Sequence, residues 1–275
     1  MATAQFSPTQ QLGIIGLGVM GQALCQAFFK QGLIDEKSVW GTTRTQAACD
    51  KLTQQLGFSV TKQYEALLPQ TRAVLICVKP ARVTEVLQQL QQRGLRSDAL
   101  VISIVAGKRI SQLQEALPAG NPIIRAMPNT PCLVGQGMTA LSISEHVAAT
   151  DLDLAKTLFN SVGQTLELDE KYFDAVTGLS GSGPAYMYLM MEALADGGVR
   201  VGLPRDVAMA LVVQMALGAA TMIRTTGKHP AALRDDVTTP AGCTIAGLLT
   251  LEDGKIRSVL ARAVEEATKT AAGLS

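Results

Sequence analysis

Histidine and tryptophan are nearly missing from this sequence: two His and one Trp in 275 residues. A zinc site or a Ser-His-Asp arrangement built on histidines is therefore nearly excluded. Aromatic residues make up only 4%, and the net charge is +1 with no basic stripe, so the stacking surfaces and positive patches of a nucleic-acid binder are lacking. Charged residues of both signs reach only 17%, while apolar residues reach 47%. That balance supplies ample core and leaves much surface to be hidden in an oligomer. The five cysteines (Cys25, Cys49, Cys77, Cys132, Cys243) are odd in number and widely spaced. No CxxC pair or disulfide framework emerges, and reduced thiols in a cytoplasmic protein are expected. Residues 1–11 lack the basic-then-apolar layout of a signal peptide. One run, Val207 to Ile223, reaches the lower limit of a bilayer span, but Arg205, Asp206 and Arg224 flank it closely. A buried or subunit-interface helix is the better reading, with no membrane partner.

What is present falls into two halves. The first alternates apolar runs with helical spacing. Leu12–Ile15, Ser38–Trp40, Phe58–Val60, Ala73–Val78 and Ala99–Val105 read as strands, with helices at Val19–Lys30, Thr45–Leu56, Val83–Gln92 and Ile110–Leu117. Strands that are apolar throughout are covered on both faces, which indicates a parallel sheet. Pro122–Met127 and Gly137–Ile143 continue that sheet, and Val147–Asn160 and Thr165–Leu168 close it. From about Glu170 the strand signal stops. Ala185–Asp196, Asp206–Arg224, Thr244–Leu251 and Ile256–Thr270 read as helices rich in Ala, Met and Leu. The expected division is a dinucleotide domain at 1–168 and a helical dimerisation and substrate domain at 169–275. Helices this apolar need a partner, so an interlocked dimer is expected.

The run Gly16-Leu17-Gly18-Val19-Met20-Gly21 follows Ile15 at the end of a strand and opens a helix. This is the context a dinucleotide fingerprint requires. Its glycines allow a tight turn, close approach of a pyrophosphate and close packing of helix on strand. The fold class is thus α/β, a Rossmann-type doubly wound sheet followed by an all-helical domain. After the second strand come Thr42, Thr43 and Arg44, where an NAD site usually places a carboxylate. Two hydroxyls and a guanidinium suit a 2′-phosphate, so NADP(H) is preferred and NAD(H) remains possible. Two further strand-end loops, Cys77-Val78-Lys79-Pro80 and Val105-Ala106-Gly107, face the same crevice. Lys79 could reach the cofactor or the substrate, or simply be solvated. Asn129, between Pro128 and Pro131, could position the nicotinamide or hold its turn.

Near the C-terminus, Asp235 to Thr244 runs through Thr239-Pro240-Ala241-Gly242-Cys243 into an apolar helical stretch. The turn leaves backbone N–H groups unpaired beside threonine hydroxyls, a small anion site with a hydroxyl donor.

The glycine phrase resembles the β-hydroxyacid dehydrogenases, whose G-x-x-G-x-G-x-x-x-K-x-x-x-N helix carries a catalytic lysine. Here Gly178-x-x-Gly181-x-Gly183 leads to Met187 in place of that Lys and Met191 in place of the Asn. Methionine cannot donate the proton that carbonyl–alcohol chemistry needs. The remaining motifs resemble the pyrroline-5-carboxylate reductase family over nearly the whole chain. They are Val78-Lys79-Pro80, Ala106-Gly107, Arg125-x-Met127-x-Asn129-Thr130-Pro131, Ala175 to Tyr186, Ala195-Asp196-Gly197-Gly198, Gly202-Leu203-Pro204, His229-Pro230 and Pro240-x-Gly242-x-Thr244. Ala241 stands where that family commonly has a second glycine, and Asp236 where some members have Asn near the cofactor. The resemblance implies reduction of 1-pyrroline-5-carboxylate to L-proline, with Thr244 hydrogen-bonding the ring nitrogen. It implies substrate contacts from Thr239, Gly242, Cys243 and Glu170. It also implies a homodimer, assembling further, in which the threonine loop meets the partner's cofactor. A cyclic imine accepts hydride without a strong general acid, and none is evident in the sequence. His229 reads as a helix-start or interface residue.

Overall fold

The structure, a computed structural model, describes residues 6–117 and 120–273. They form two compact units, one of residues up to 181 together with 267–273, the other 182–266.

The first unit is built on β1 (Gln11–Ile15), β2 (Val39–Thr42), β3 (Ser59–Val60), β4 (Thr71–Ile76), β5 (Leu100–Ser103), β6 (Ile123–Met127), β7 (Gly137–Ile143) and β8 (Gly163–Glu167). They make one sheet in the order β3-β2-β1-β4-β5-β6-β7-β8. Its helices are α1 (Val19–Lys30), α2 (Gln46–Leu56), α3 (Val83–Gln92), α4 (Ile110–Glu115) and α5 (Ala149–Asn160). The alternation of side chains along each strand feeds two cores. On β4, Ala73 and Leu75 join α1, α2 and α5 on one face; Val74 and Ile76 join α3 and α4 on the other. Four of its six residues, 73–76, are fully buried, which is why the strand reads as one continuous apolar run. Phe28, at 0% exposure, anchors the first core; truncation to alanine would cost about 3–5 kcal/mol.

The sheet departs from the parallel expectation at one place. β6 and β7 pair antiparallel, with Arg125 opposite Ser142. The intervening segment, 128–136, holds only a 3₁₀ turn at Thr130–Val134. It is shorter than the dozen or more residues a parallel crossover needs. From β7 the chain crosses through α5 and returns parallel as β8.

Beyond β8 come a 3₁₀ turn at Glu170–Tyr172, α6 (Phe173–Val176) and a π turn at Thr177–Gly181. These residues stay with the sheet, so the first unit runs past the boundary at 168 read from composition. The reason is tertiary: Glu170 and Ser180 are both tied to the end of β6.

The second unit contains α7 (Gly183–Arg200), α8 (Arg205–Thr226), α9 (Pro230–Asp236), α10 (Cys243–Asp253) and most of α11 (Ile256–Ala272). Helix α7 runs through Gly197 and Gly198 rather than stopping there. A Cβ on Gly198 would lie 3.0 Å from Ala208 Cβ, so the glycine permits α8 to approach closely. Helix α9 is not among the helices read from periodicity. Its signals are local, with Pro230 at the first position and His229 Nδ1 accepting from Ala231 N at 3.2 Å. His229 is thus a helix cap.

Burial in this unit is sparse. Ala195 is the one buried residue recorded in α7 and Ala208 the one in α8, and α10 has none. Leu189, Leu211, Met215, Leu217 and Leu249 are all more than half exposed. Helices apolar on every side are buried in something else, and this unit carries its own unpartnered surface.

Candidate active site

The crevice lies where strand order reverses, between the carboxyl ends of β1 and β4. The three glycines do different work. Gly16 takes φ +100°, and a Cβ there would lie 2.8 Å from the Cys77 carbonyl oxygen. At Gly21 a Cβ would collide with the Gly16 carbonyl oxygen, so the helix can seat on the strand end only with glycine there. A Cβ on Gly18 meets nothing within 4 Å. The space beside Gly18 is thus open. Gly18 is also the N-cap of α1, with no side-chain cap and no acidic residue in the first turn. The unpaired N–H groups and the positive end of the helix dipole face that opening. Ile15 and Leu17 are buried at 3% each and offer only backbone; Val19 is exposed and Met20 half-buried.

The loop is tied to β2, for Gly16 N and Leu17 N both donate to the Thr42 carbonyl, at 3.0 and 3.1 Å. Just past it, Thr42 and Thr43 are half-buried and Arg44 is exposed. Arg44 forms no ion pair among the described residues. It does not cap α2 either: that is done by Thr45 Oγ1, which accepts from Ala48 N.

Cys77 N donates to the Ile15 carbonyl at 2.8 Å, which holds the Cys77–Pro80 loop against the glycine loop. Lys79 is exposed and, among the described residues, has no partner; Pro80 opens a 3₁₀ turn and is half-buried, as is Val78. Burial pushes the Cys25 thiol up to about 12 and raises Cys77 as well, so both sit beneath the loop as neutral packing groups. Val105 is buried, Ala106 half-buried, and Gly107 turns the chain at φ +68°.

Two residues proposed for ligands are engaged by protein. Asn129 Oδ1 accepts from Met138 N at 3.0 Å, and its Nδ2 donates to the Ser180 carbonyl at 3.2 Å. The amide holds its turn. Glu170 Oε1 accepts from Ile110 N at 2.7 Å and from Arg125 at 3.0 Å. One oxygen of its carboxylate is thus engaged by α4 and β6. Arg125 is a partner that strand patterning did not supply. Its side chain is 4% exposed, and the guanidinium lies 4.7 Å from the Phe173 ring centroid. A charge within an apolar strand was the available signal, because a buried arginine must find a carboxylate.

In the second unit, Thr239 to Gly242 form a β-turn closed by Gly242 N donating to the Thr239 carbonyl at 3.1 Å. Pro240 occupies the second position and Ala241, at φ +58°, the third, where such turns favour glycine. Gly242 then N-caps α10 without a side-chain bond, and no acidic residue occupies the first turn. The N–H groups of Cys243 and Thr244 are left as an anion-binding end. Thr244 is half-buried at the second helical position, and its hydroxyl bonds to no described residue. Thr239 and Cys243 are exposed. Asp236, in the last turn of α9, pairs with Lys228 at 3.0 Å. Among the described residues no group of three or more His, Cys, Asp or Glu is placed to hold a metal.

A doubly wound sheet with this glycine loop at its switch point defines a dinucleotide-dependent oxidoreductase. Residues 11–107 match the family model described as NADP oxidoreductase coenzyme F420-dependent, and 170–274 match pyrroline-5-carboxylate reductase dimerisation. A pyrroline-5-carboxylate reductase of Synechocystis is 43% identical over 94% of this chain and 95% of its own. That of Glycine max is 41% identical over 96% of both. The chain belongs to the pyrroline-5-carboxylate reductase family. Among solved structures, the Coxiella burnetii pyrroline-5-carboxylate reductase superposes with TM-score 0.89 at 31% identity, covering 97% of this chain and 99% of that one. The Plasmodium falciparum pyrroline carboxylate reductase with NADP bound gives 0.87 at 31%, covering 97% and 98%. The dimerisation match spans α7 to α11, so the apolar surface of the second unit is that of a homodimer. Helix α8 is long and apolar enough to cross a bilayer, yet it lies within this match.

Proposed function

We propose that this protein reduces 1-pyrroline-5-carboxylate to L-proline with NADPH. The observation that carries the reading is the α10 N-terminus: unpaired N–H groups beside a Thr244 hydroxyl that no described residue occupies. The carboxylate of the cyclic imine is held by the N–H groups of Cys243 and Thr244, with Thr239 at the turn. Thr244 hydrogen-bonds the ring nitrogen and aligns the C=N bond. When bound, the dinucleotide would supply the hydride for the imine carbon. Nitrogen takes up a proton that solvent provides, so orientation and charge complementarity do the work of a strong acid.

The dinucleotide is held by the α1 N-terminus and the Gly18 opening at its pyrophosphate. Thr42, Thr43 and Arg44 take the 2′-phosphate, with Lys79 and Ala106–Gly107 lining the crevice. In the homodimer the threonine loop serves the dinucleotide of the partner subunit. Five free thiols suit a reducing compartment, and we place the enzyme in the cytoplasm.

The test is NADPH oxidation with pyrroline-5-carboxylate, comparing wild type with Thr244→Val. Wild type turns over and the near-isosteric valine variant loses activity by about tenfold or more. No turnover by wild type rejects the reading, and a fully active valine variant rejects the role of Thr244.

A further inference from the structure

At Thr177–Gly181 the backbone leaves the α-helical pattern of α6 for a π turn. Such turns give up the ordinary helical ladder, and they recur at functional sites. What holds this one is Asn129. Its Nδ2 donates to the Ser180 carbonyl at 3.2 Å and reaches the Ser180 hydroxyl at 3.3 Å, while Oδ1 accepts from Met138 N on β7. The fastener is stiff, because Pro128 and Pro131 flank Asn129 closely and fix their own φ angles. The turn is also seated: a Cβ on Gly181 would lie 3.2 Å from Met127 Cε.

Asn129 stands just past β6, on the carboxyl edge of the sheet. If Thr42–Arg44 take the 2′-phosphate, the adenosine half lies over β1 to β3. The nicotinamide half then extends over the ends of β4 to β6. The turn that Asn129 holds therefore bounds the nicotinamide end of the crevice.

Resting on the reductase reading above, we propose that Asn129 is a positioning residue for hydride transfer. Acting through Ser180, it fixes the π turn as the wall that orients the nicotinamide ring. It acts through protein, since each end of its amide is bonded to a protein group. A wall displaced by about 1 Å can cost about 10²-fold in rate.

The test uses Asn129→Asp, Asn129→Ala and Ser180→Ala, each read by kcat, by NADPH affinity, by the fluorescence of bound NADPH and by melting temperature. A carboxylate still accepts from Met138 N but cannot donate to Ser180. In Asn129→Asp we expect kcat to fall by about tenfold or more, NADPH affinity to stay within about threefold, and the fluorescence change of bound NADPH to shrink. Ser180→Ala keeps the carbonyl contact, so a smaller kcat loss of about two- to fivefold follows. An Asn129→Asp enzyme with wild-type kcat and fluorescence overturns the proposal, as does a loss of kcat that only tracks the folded fraction. Should neither Asn129 variant fold, an unchanged kcat in Ser180→Ala overturns it. Absence of turnover by wild type would sink the reductase reading instead, and the NADPH fluorescence of the variants then decides Asn129 separately.

Discussion

Arg125 and Glu170 meet at 3.0 Å, and through that pair β6 grips the segment leading out of the sheet domain. Glu170 also accepts from Ile110 N, the first residue of α4, so one carboxylate ties three elements. Removing it leaves a guanidinium at 4% exposure, beside the Phe173 ring, without its carboxylate. Loss of a partner to a buried charge costs about 3–5 kcal/mol, and because Glu170 is 26% exposed we expect about 2–3 in Glu170→Ala. Urea denaturation checks this. The double variant Arg125→Met/Glu170→Leu should recover most of the loss.

Cofactor choice should reside in Arg44. Its side chain neither caps α2 nor forms an ion pair among the described residues, so Arg44→Ala should leave the fold undisturbed. We expect the NADPH-to-NADH ratio of kcat/KM to fall by about tenfold or more, from a rise in KM for NADPH. An unchanged ratio would discard the 2′-phosphate assignment.

The proposal that the sites are shared across the dimer makes a quantitative prediction. A chain carrying Gly18→Val cannot hold the pyrophosphate, and one carrying Thr244→Val lacks the hydroxyl. Mixed after co-expression, half the dimers are hybrid, and each hybrid has one intact site. Activity should return to about a quarter of wild type. Sites completed within one chain would give none.

Ala241 occupies the left-handed region at φ +58°, which disfavours any residue bearing a Cβ. Ala241→Gly should therefore stabilise the protein by about 0.5–1 kcal/mol, read as a higher melting temperature with activity kept. A lower melting temperature would show that loss of chain stiffness outweighs the relieved strain.

Much of the first unit was legible because its signals are local. A strand covered on both faces must be apolar throughout, as 73–76 are. Two of the glycine-loop positions have their steric reason in the geometry, since a Cβ at Gly16 or Gly21 would meet the backbone carbonyl of Cys77 or of Gly16. The same holds for Pro240 and Gly242, which announce the turn before α10.

The sequence by itself determined the sheet's parallel part, the dinucleotide loop, the apolar helices that need a second subunit, and the threonine loop. Those follow from periodicity and from backbone chemistry within a few residues. The tertiary structure decided what depends on distant partners. It turned β7 antiparallel across a connection too short to cross over. It bonded Asn129 to Ser180 and drew Glu170 to Arg125, giving both residues protein partners that no local signal announces. A side chain's chemistry names what it can bond. Its role is set by which neighbour folding brings within about 3 Å, and sequence spacing carries no record of that neighbour.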